Sequence, residues 1–196
     1  MNHPETVAFW RGRLPHWEVV DGRYFITLRL WGALPGEAVN RIRDVARQIR
    51  DCRQKNYLEL ERRIFGLMEK WLDKAPKRRD FDSAELAEMV QEAITHRESE
   101  GIWTVYEHVV MPGHLHMYVK FDQGRLKGNM EGFKRWTGHR AGEILDLDGR
   151  FWQREWFDHW ARSPQEGDAI MEYIRQNPVK AGLVQDYRDW PYGSWQ

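Results

Sequence analysis

An apolar run from residue 109 to residue 119 is interrupted only by Pro112-Gly113 and by two histidines. Proline presets one backbone dihedral and glycine tolerates unusual ones, so the pair favours a tight turn. Short apolar segments on both sides of a turn are typical of buried strands. Residues 102–111 and 114–121 are therefore predicted to form a hairpin within a sheet.

The two histidines of this run, His114 and His116, flank a single apolar residue. Side chains alternate between the faces of a strand, so both imidazoles are expected on one face. Two imidazoles on one face make half of a divalent metal site. The alternative is a pair of partly buried polar residues near the start of a strand.

The rest of the chain alternates between strand and helix patterns. Residues 23–31 alternate as a strand, and Asp82 or Ser83 is suited to cap a helix that runs to about residue 96. The other helical patterns cover residues 37–72, 124–144 with an interruption near Gly138, and 163 to about 177. Such an order predicts an α+β fold with helices packed on an antiparallel sheet.

The last predicted helix carries Tyr173 and Asn177, four residues apart and so on one helix face. Ser163 and the proline after it are suited to begin this helix, and Pro178 is expected to end it near Asn177. A phenol and a carboxamide from this helix could then meet the two imidazoles. The phenol is a possible nucleophile, and two imidazoles with an amide can hold a metal that polarises a phosphate.

Three segments in this order resemble the HUH-type single-tyrosine transposases, and most closely the REP-associated tyrosine transposases. The similarity covers about residues 100–196, and the opening Leu14-Pro15-His16-Trp17-Glu18 is also similar to the start of these proteins. The segments are Val110-Met111-Pro112 with His114-Leu115-His116, then Phe151-Trp152-Gln153-Arg154-Glu155 continuing to His159, then Tyr173-Ile174 with Asn177-Pro178-Val179-Lys180-Ala181-Gly182.

This resemblance implies a single transposase-like domain over residues 1–196, with a ferredoxin-like or RRM-like core. The helical stretch at about residues 37–80 is longer than that core needs, and is interpreted as an insert that either contacts DNA or acts as a scaffold. The resemblance also implies that Tyr173 is the nucleophile and that His114, His116 and Asn177 bind Mg²⁺ or Mn²⁺. Tyr118 is a rival nucleophile, because it shares strand parity with the histidines.

The implied reaction is cleavage and joining of single-stranded DNA through a 5′-phosphotyrosine, on hairpin-bearing DNA such as a repetitive extragenic palindrome, in transposition. A homodimer is compatible with this reading. The resemblance includes Asp158 and His159, for which we expect a structural role.

Charge and hydropathy limit the alternatives. The net charge is zero, which is unusual for a DNA-binding protein, but residues 1–80 carry 17 basic against 11 acidic side chains. No run of 18 apolar residues is present, so we expect a cytoplasmic protein without membrane contact. Basic residues of the helix that follows the histidine hairpin are candidates for phosphate contact: Lys127, Lys134, Arg135 and Arg140.

Two other functions fit the same residues. One is a non-catalytic module that binds single-stranded nucleic acid on an RRM-like sheet, with some of the eleven tryptophans as stacking platforms. The other is a metallohydrolase in which His114 and His116 hold the metal and water attacks. Covalent trapping of a DNA strand would distinguish the transposase reading from both.

Overall fold

The structure is a computed structural model that describes residues 5–12, 14–51, 57–72 and 76–196. Its six strands are β1 (Thr6–Arg11), β2 (Pro15–Val19), β3 (Arg23–Arg29), β4 (Trp103–Met111), β5 (His114–Phe121) and β6 (Phe157–Trp160). Its five helices are α1 (Gly36–Asp51), α2 (Tyr57–Leu72), α3 (Ala84–Ser99), α4 (Leu126–Leu145) and α5 (Pro164–Lys180).

Four strands form the central sheet in the order β4-β5-β3-β6, and every neighbouring pair is antiparallel. With α3 between β3 and β4 and α4 between β5 and β6, this order is that of a split β-α-β, ferredoxin-like core. The predictions of an α+β fold and of the histidine hairpin are thus confirmed. Helices α1 and α2 are additional, and both lie between β3 and α3.

The two faces of the sheet carry different helices. Trp103 lies opposite Phe121 in the β4–β5 register and packs against Phe133 of α4, so α4 covers the face of the odd-numbered β5 residues. His116 and Tyr118, which alternate with these residues, contact Tyr173 and Gly167 of α5. The histidine face is therefore covered by α5.

The helical insert predicted at about residues 37–80 consists, in the described ranges, of α1 and α2, which pack against each other. Residues 52–56 and 73–75 of the insert lie outside the described residues. Phe65 of α2 packs edge-on against Phe25 of β3, with ring centroids 5.3 Å apart. Helix α2 thus lies on the same face of the sheet as α5.

Two predicted helix boundaries were wrong. Helix α5 continues through Pro178 to Lys180, and the ring of Pro178 is buried, so its packing offsets the missing backbone hydrogen bond. Helix α4 is not interrupted at Gly138, because Trp152 packs there and its indole donates a hydrogen bond of 2.8 Å to the Thr137 hydroxyl.

The first predicted strand, at residues 23–31, ends as β3 at Arg29, and Leu30 forms only an isolated bridge to Trp152. The preceding strands β1 and β2, which periodicity did not indicate, form a separate two-stranded sheet. Among the helices of the described ranges, none combines the length and the apolar character that crossing a membrane requires.

Candidate active site

Strand β5 places His114 and His116 side by side on the face covered by α5. Their ring centroids are 4.5 Å apart, and both side chains are almost completely buried. In the sheet register His116 lies opposite Thr27, whose hydroxyl is 2.9 Å from Nδ1 of His116. A hydrogen bond at Nδ1 fixes the orientation of the ring and leaves Nε2 as the nitrogen that faces the site.

Helix α5 brings Tyr173 and Asn177 to the same place, as their four-residue spacing predicts. The Tyr173 ring lies edge-on to the His116 ring, with centroids 5.7 Å apart. Asn177 is almost fully buried, and its carboxamide lies close to His114. The four residues predicted as nucleophile and metal ligands are therefore neighbours in the structure, although they come from separate elements.

Both imidazoles are held in their neutral form. Burial, together with the neighbouring His116, lowers the pKa of His114 to about 3. Burial, together with the positive charge of Lys180, lowers the pKa of His116 to about 3. Neutral imidazoles carry the lone pairs that a metal ion needs.

A carboxylate that sequence reasoning missed completes this cluster. Glu69 of α2 is buried, and its Oε1 is 3.5 Å from Nε2 of His116. Burial raises its pKa to about 7, although the nearby His114 and Lys180 act in the opposite direction. Glu69 belongs to the helical insert, and nothing in the local sequence pattern distinguishes it from the other charged residues of that helix.

Several buried polar atoms of the cluster lack a hydrogen-bond partner among the described residues. They are both ring nitrogens of His114, Nε2 of His116, Oδ1 of Asn177, both carboxylate oxygens of Glu69 and the Tyr173 hydroxyl. Leaving one buried polar group unpaired costs about 1–3 kcal/mol. A cluster of this many unpaired groups is therefore suited to bind a ligand. Still, no three or more His, Cys, Asp or Glu side chains in the described ranges are arranged to hold a metal by themselves.

One positive charge lies close to Tyr173. The Lys180 ammonium is 4.5 Å from the centroid of the Tyr173 ring, on the last turn of the same helix. The guanidinium of Arg175 forms a 2.6 Å ion pair with the buried Glu107 of β4. From sequence, Lys180 could be identified as a site residue only because the segment around Asn177 and Pro178 resembles that of the transposases.

The rival Tyr118 occupies a different position on the same face. Its hydroxyl lies against the first turn of α5, where a Cβ on Gly167 would be only 2.6 Å away. Its ring packs on Tyr106, with centroids 5.1 Å apart. Tyr173, by contrast, contacts His116 directly, so the geometry favours Tyr173 as the nucleophile.

The four basic residues predicted to contact DNA all lie on α4, on the opposite face of the sheet from His114. Lys127 and Arg140 pair with Glu131 and Glu143 along the helix, and Arg135 is exposed. Lys134 donates a hydrogen bond of 2.5 Å to the Arg154 carbonyl, and burial lowers its pKa to about 8. Contact of these residues with DNA stays a prediction, and it would be at a surface separate from the histidine cluster.

Asp158 and His159, on adjacent positions of β6, point to opposite faces. Asp158 is buried and binds Nδ1 of His16 from β2. His159 lies on the α5 face, where its Nε2 is 2.9 Å from the Glu166 carboxylate. Both residues thus join separate elements of the fold.

The chain is similar to known proteins of one kind. The chain is 41% identical over 44 residues to a Haemophilus influenzae protein assigned as a REP-associated tyrosine transposase, and 24% identical over 110 residues to the Escherichia coli K12 REP-associated tyrosine transposase. The matches cover 22% and 55% of this chain. The resemblance to the REP-associated tyrosine transposases is confirmed.

The matched segments span a quarter of the H. influenzae relative and 64% of the E. coli relative. The fold is similar to that of a REP-associated tyrosine transposase solved in complex with a REP hairpin, with a TM-score of 0.60 and 18% identity over 92% of this chain and 80% of that one. No protein-family model matches the chain.

Proposed function

We propose that this protein is a metal-dependent, REP-associated tyrosine transposase that nicks and rejoins single-stranded DNA through a phosphotyrosine at Tyr173. The observation that carries the proposal is the meeting of Tyr173 with His114, His116 and Asn177 around buried polar atoms that have no partner within the described ranges. In the proposed reaction the Tyr173 oxygen attacks a DNA phosphorus. The bond between that phosphorus and the 3′ oxygen breaks, a 5′-phosphotyrosine forms, and the proton lost by the phenol is balanced by the proton gained by the 3′-hydroxyl.

The residues around Tyr173 assist this step in distinct ways. The Lys180 ammonium beside the ring favours the negative charge that develops on the phenol oxygen and on the phosphate. Packing against Phe25 and His116 fixes the orientation of the Tyr173 ring. The phosphotyrosine bond conserves the energy of the broken phosphodiester, so rejoining by a 3′-hydroxyl needs no other energy source.

His114, His116 and Asn177 would hold Mg²⁺ or Mn²⁺. The fit is good, because the cluster offers neutral imidazole nitrogens and an amide oxygen that have no partner among the described residues, and Glu69 adds a carboxylate beside them. Imidazole nitrogens suit Mn²⁺ better than Mg²⁺. When bound, the ion would polarise the phosphate as a Lewis acid.

The proposed substrate is hairpin-bearing, REP-like single-stranded DNA. Support comes from the similar fold of a transposase that is bound to a REP hairpin. Unpaired bases next to a hairpin can be moved apart at little cost, whereas a perfect duplex resists this. We therefore propose a cytoplasmic enzyme that prefers hairpins with single-stranded flanks over duplex DNA.

The test is covalent trapping. Tyrosine attack attaches the protein to the 5′ phosphate of the downstream fragment, so a REP-like hairpin oligonucleotide labelled at its 3′ end is incubated with the protein and Mn²⁺. We expect a labelled band that survives denaturing electrophoresis with the wild type and is absent with Tyr173→Phe. Tyr118→Phe is the matched control, because it removes the same atom from a tyrosine on the same face.

The outcomes separate the alternatives. A band that persists in Tyr173→Phe and disappears in Tyr118→Phe would show that the wrong nucleophile is assigned. Cleavage without any band in either protein would indicate attack by water and a metallohydrolase. Binding without cleavage under all metal conditions would favour the non-catalytic module.

A further inference from the structure

A cavity of about 210 Å³ opens beside Tyr173. Its aromatic walls come from β3, α2, β6 and α5, and are Phe25, Phe65, Phe157 and Tyr173. At ~30 Å³ per water molecule this volume corresponds to about seven waters, the scale of one planar ring system. The cavity is therefore too small for a base pair and suits a single base.

The aromatic rings pack against one another and form an apolar wall of the cavity. Phe65 and Phe157 are tilted by 31° with centroids 5.3 Å apart, and Phe65 meets Tyr173 edge-on at 5.4 Å. Alanine and isoleucine side chains of α5, at Ala169 and Ile170, complete the lining. Flat apolar walls of this kind hold unpaired bases in single-strand binding proteins, because every base has an aromatic face.

The edge of the cavity is polar and carries charges of both signs. His159 and Glu166 line it as a hydrogen-bonded pair, with 2.9 Å between Nε2 and Oε1. Arg62 of α2 also lines it and is exposed, and the Lys180 ammonium is 4.5 Å from the centroid of the Tyr173 ring. An apolar cavity with a cation at its edge matches a nucleotide, which joins an aromatic base to an anionic phosphate.

We infer that this cavity, which we call the base pocket, takes one unpaired nucleobase of the DNA strand, from a nucleotide next to the phosphate that Tyr173 attacks. The inference rests on the proposed function, since it places DNA at Tyr173. It follows from the position of the Tyr173 ring, which forms a wall of the pocket and also contacts His116. A base held there anchors the strand, so the pocket contributes to the choice of cleavage position.

The base pocket also assigns a role to the helical insert. Arg62, Phe65 and Glu69 recur on α2 at spacings of three and four residues, so they share one helix face. Arg62 and Phe65 line the pocket, and Glu69 faces His116. Of the two interpretations of the insert, contact with DNA is the one that this arrangement favours.

The experiment is a double-mutant cycle in which one change is a substitution in the base pocket and the other is the removal of a base from the DNA. Fluorescence anisotropy measures binding of REP-like hairpins with single-stranded flanks, in EDTA so that no cleavage occurs. In a series of hairpins, one flanking nucleotide at a time is replaced by an abasic site. Ala169→Phe fills the pocket from an exposed helix position, and Ala169→Ser is the control that leaves it open.

We expect one abasic position to weaken binding to the wild type and to Ala169→Ser by between about fivefold and 100-fold, the range for loss of one stacked base. Ala169→Phe should bind the intact hairpin more weakly by a similar factor and should not respond to the abasic site at that position. Phe65→Leu provides a second variant, which removes an aromatic wall and keeps the apolar packing. It should show the same loss of response.

Two results would overturn the inference: no sensitive position in the wild type, or an Ala169→Phe defect that is equal for all substrates and leaves the abasic response intact. Because binding is measured in EDTA, the result of this cycle does not depend on whether the protein cleaves DNA. If the coupling is found but no covalent band forms with Mn²⁺, the proposed reaction is wrong and the base pocket stands. If the band forms without coupling, only the base pocket is wrong.

Discussion

The contribution of His16 to the stability of the fold is expected to fall between pH 6.5 and pH 9, because this residue forms a buried ion pair. His16 of β2 is 2% exposed and lies between the rings of Trp10 and Trp156. Its Nδ1 binds the Asp158 carboxylate, and its Nε2 is 3.4 Å from the Glu155 carboxylate. This pair joins the sheet of β1 and β2 to β6 of the central sheet.

The magnitude follows from the pKa of His16. Burial lowers this pKa, but the charge and hydrogen bond of Asp158, with those of Glu155, outweigh burial and raise it from 6.5 to about 9. At 1.36 kcal/mol per pKa unit, the rise corresponds to about 3 kcal/mol of stabilisation. Because the pKa is raised in the folded state, this contribution is complete below pH 6.5 and is lost as the pH rises through 9.

The assay is urea unfolding of the wild type and of His16→Asn from pH 6 to pH 9.5. Asparagine keeps a neutral donor for Asp158 and removes the titrating charge. We expect a difference in unfolding free energy of about 3 kcal/mol at pH 6 that shrinks as the pH approaches 9.5. Lys134, whose pKa burial lowers to about 8, titrates in the same range with the opposite effect on stability. Since both proteins retain Lys134, the difference between them removes its contribution.

A difference between the two proteins that stays constant with pH would refute the reasoning. It would mean that His16 contributes through packing between the tryptophans and not through its charge. A difference in unfolding free energy that is larger at high pH than at low pH would have the opposite pH dependence to the one expected. It would indicate that His16 is neutral in the folded protein.

Two further predictions concern the candidate site and the hairpin that presents it. Glu69→Gln keeps the shape of the side chain but removes the carboxylate beside His116. Calorimetry at pH 8, above the pKa of about 7 for Glu69, should therefore show Mn²⁺ affinity lowered at least tenfold. Glu88→Gln, on the exposed face of α3, is the control. Unchanged affinity would exclude a role for this carboxylate. Gly113→Ala places a Cβ 2.7 Å from Pro76 and 2.8 Å from the Arg78 carbonyl, and should cost about 1–3 kcal/mol in urea unfolding. Gly128→Ala, which meets nothing within 4 Å in α4, should be neutral or stabilising, and equal effects of the two changes would argue against the close contact at Gly113.

Much of the central fold and the main site residues could be predicted from sequence, because the signals are local. Pro112 and Gly113 indicate the hairpin, and strand alternation alone places His114 and His116 on one face. Ser163 begins α5, where its hydroxyl accepts a hydrogen bond from the backbone of Glu166. Each of these features depends on residues within a few positions of one another.

Local rules failed where contacts between distant segments outweigh them. Proline at position 178 is a helix terminator by its own chemistry, and yet its buried packing lets α5 continue for two more residues. Gly138 stays helical because the indole of Trp152 packs on that turn. In both places the energy of tertiary packing is larger than the local preference.

What the amino-acid order determined by itself is a set of elements and a spacing: an antiparallel hairpin with two co-facial imidazoles, and a helix with a phenol and a carboxamide one turn apart. Only the tertiary structure decided which elements meet. It set α4 and its basic residues on the face away from His114, and it brought Glu69 and Phe65 of the insert onto the face of α5. The physical reason is that periodicity reports which face of an element is buried, whereas the partner of that face is chosen by packing among segments far apart in the chain.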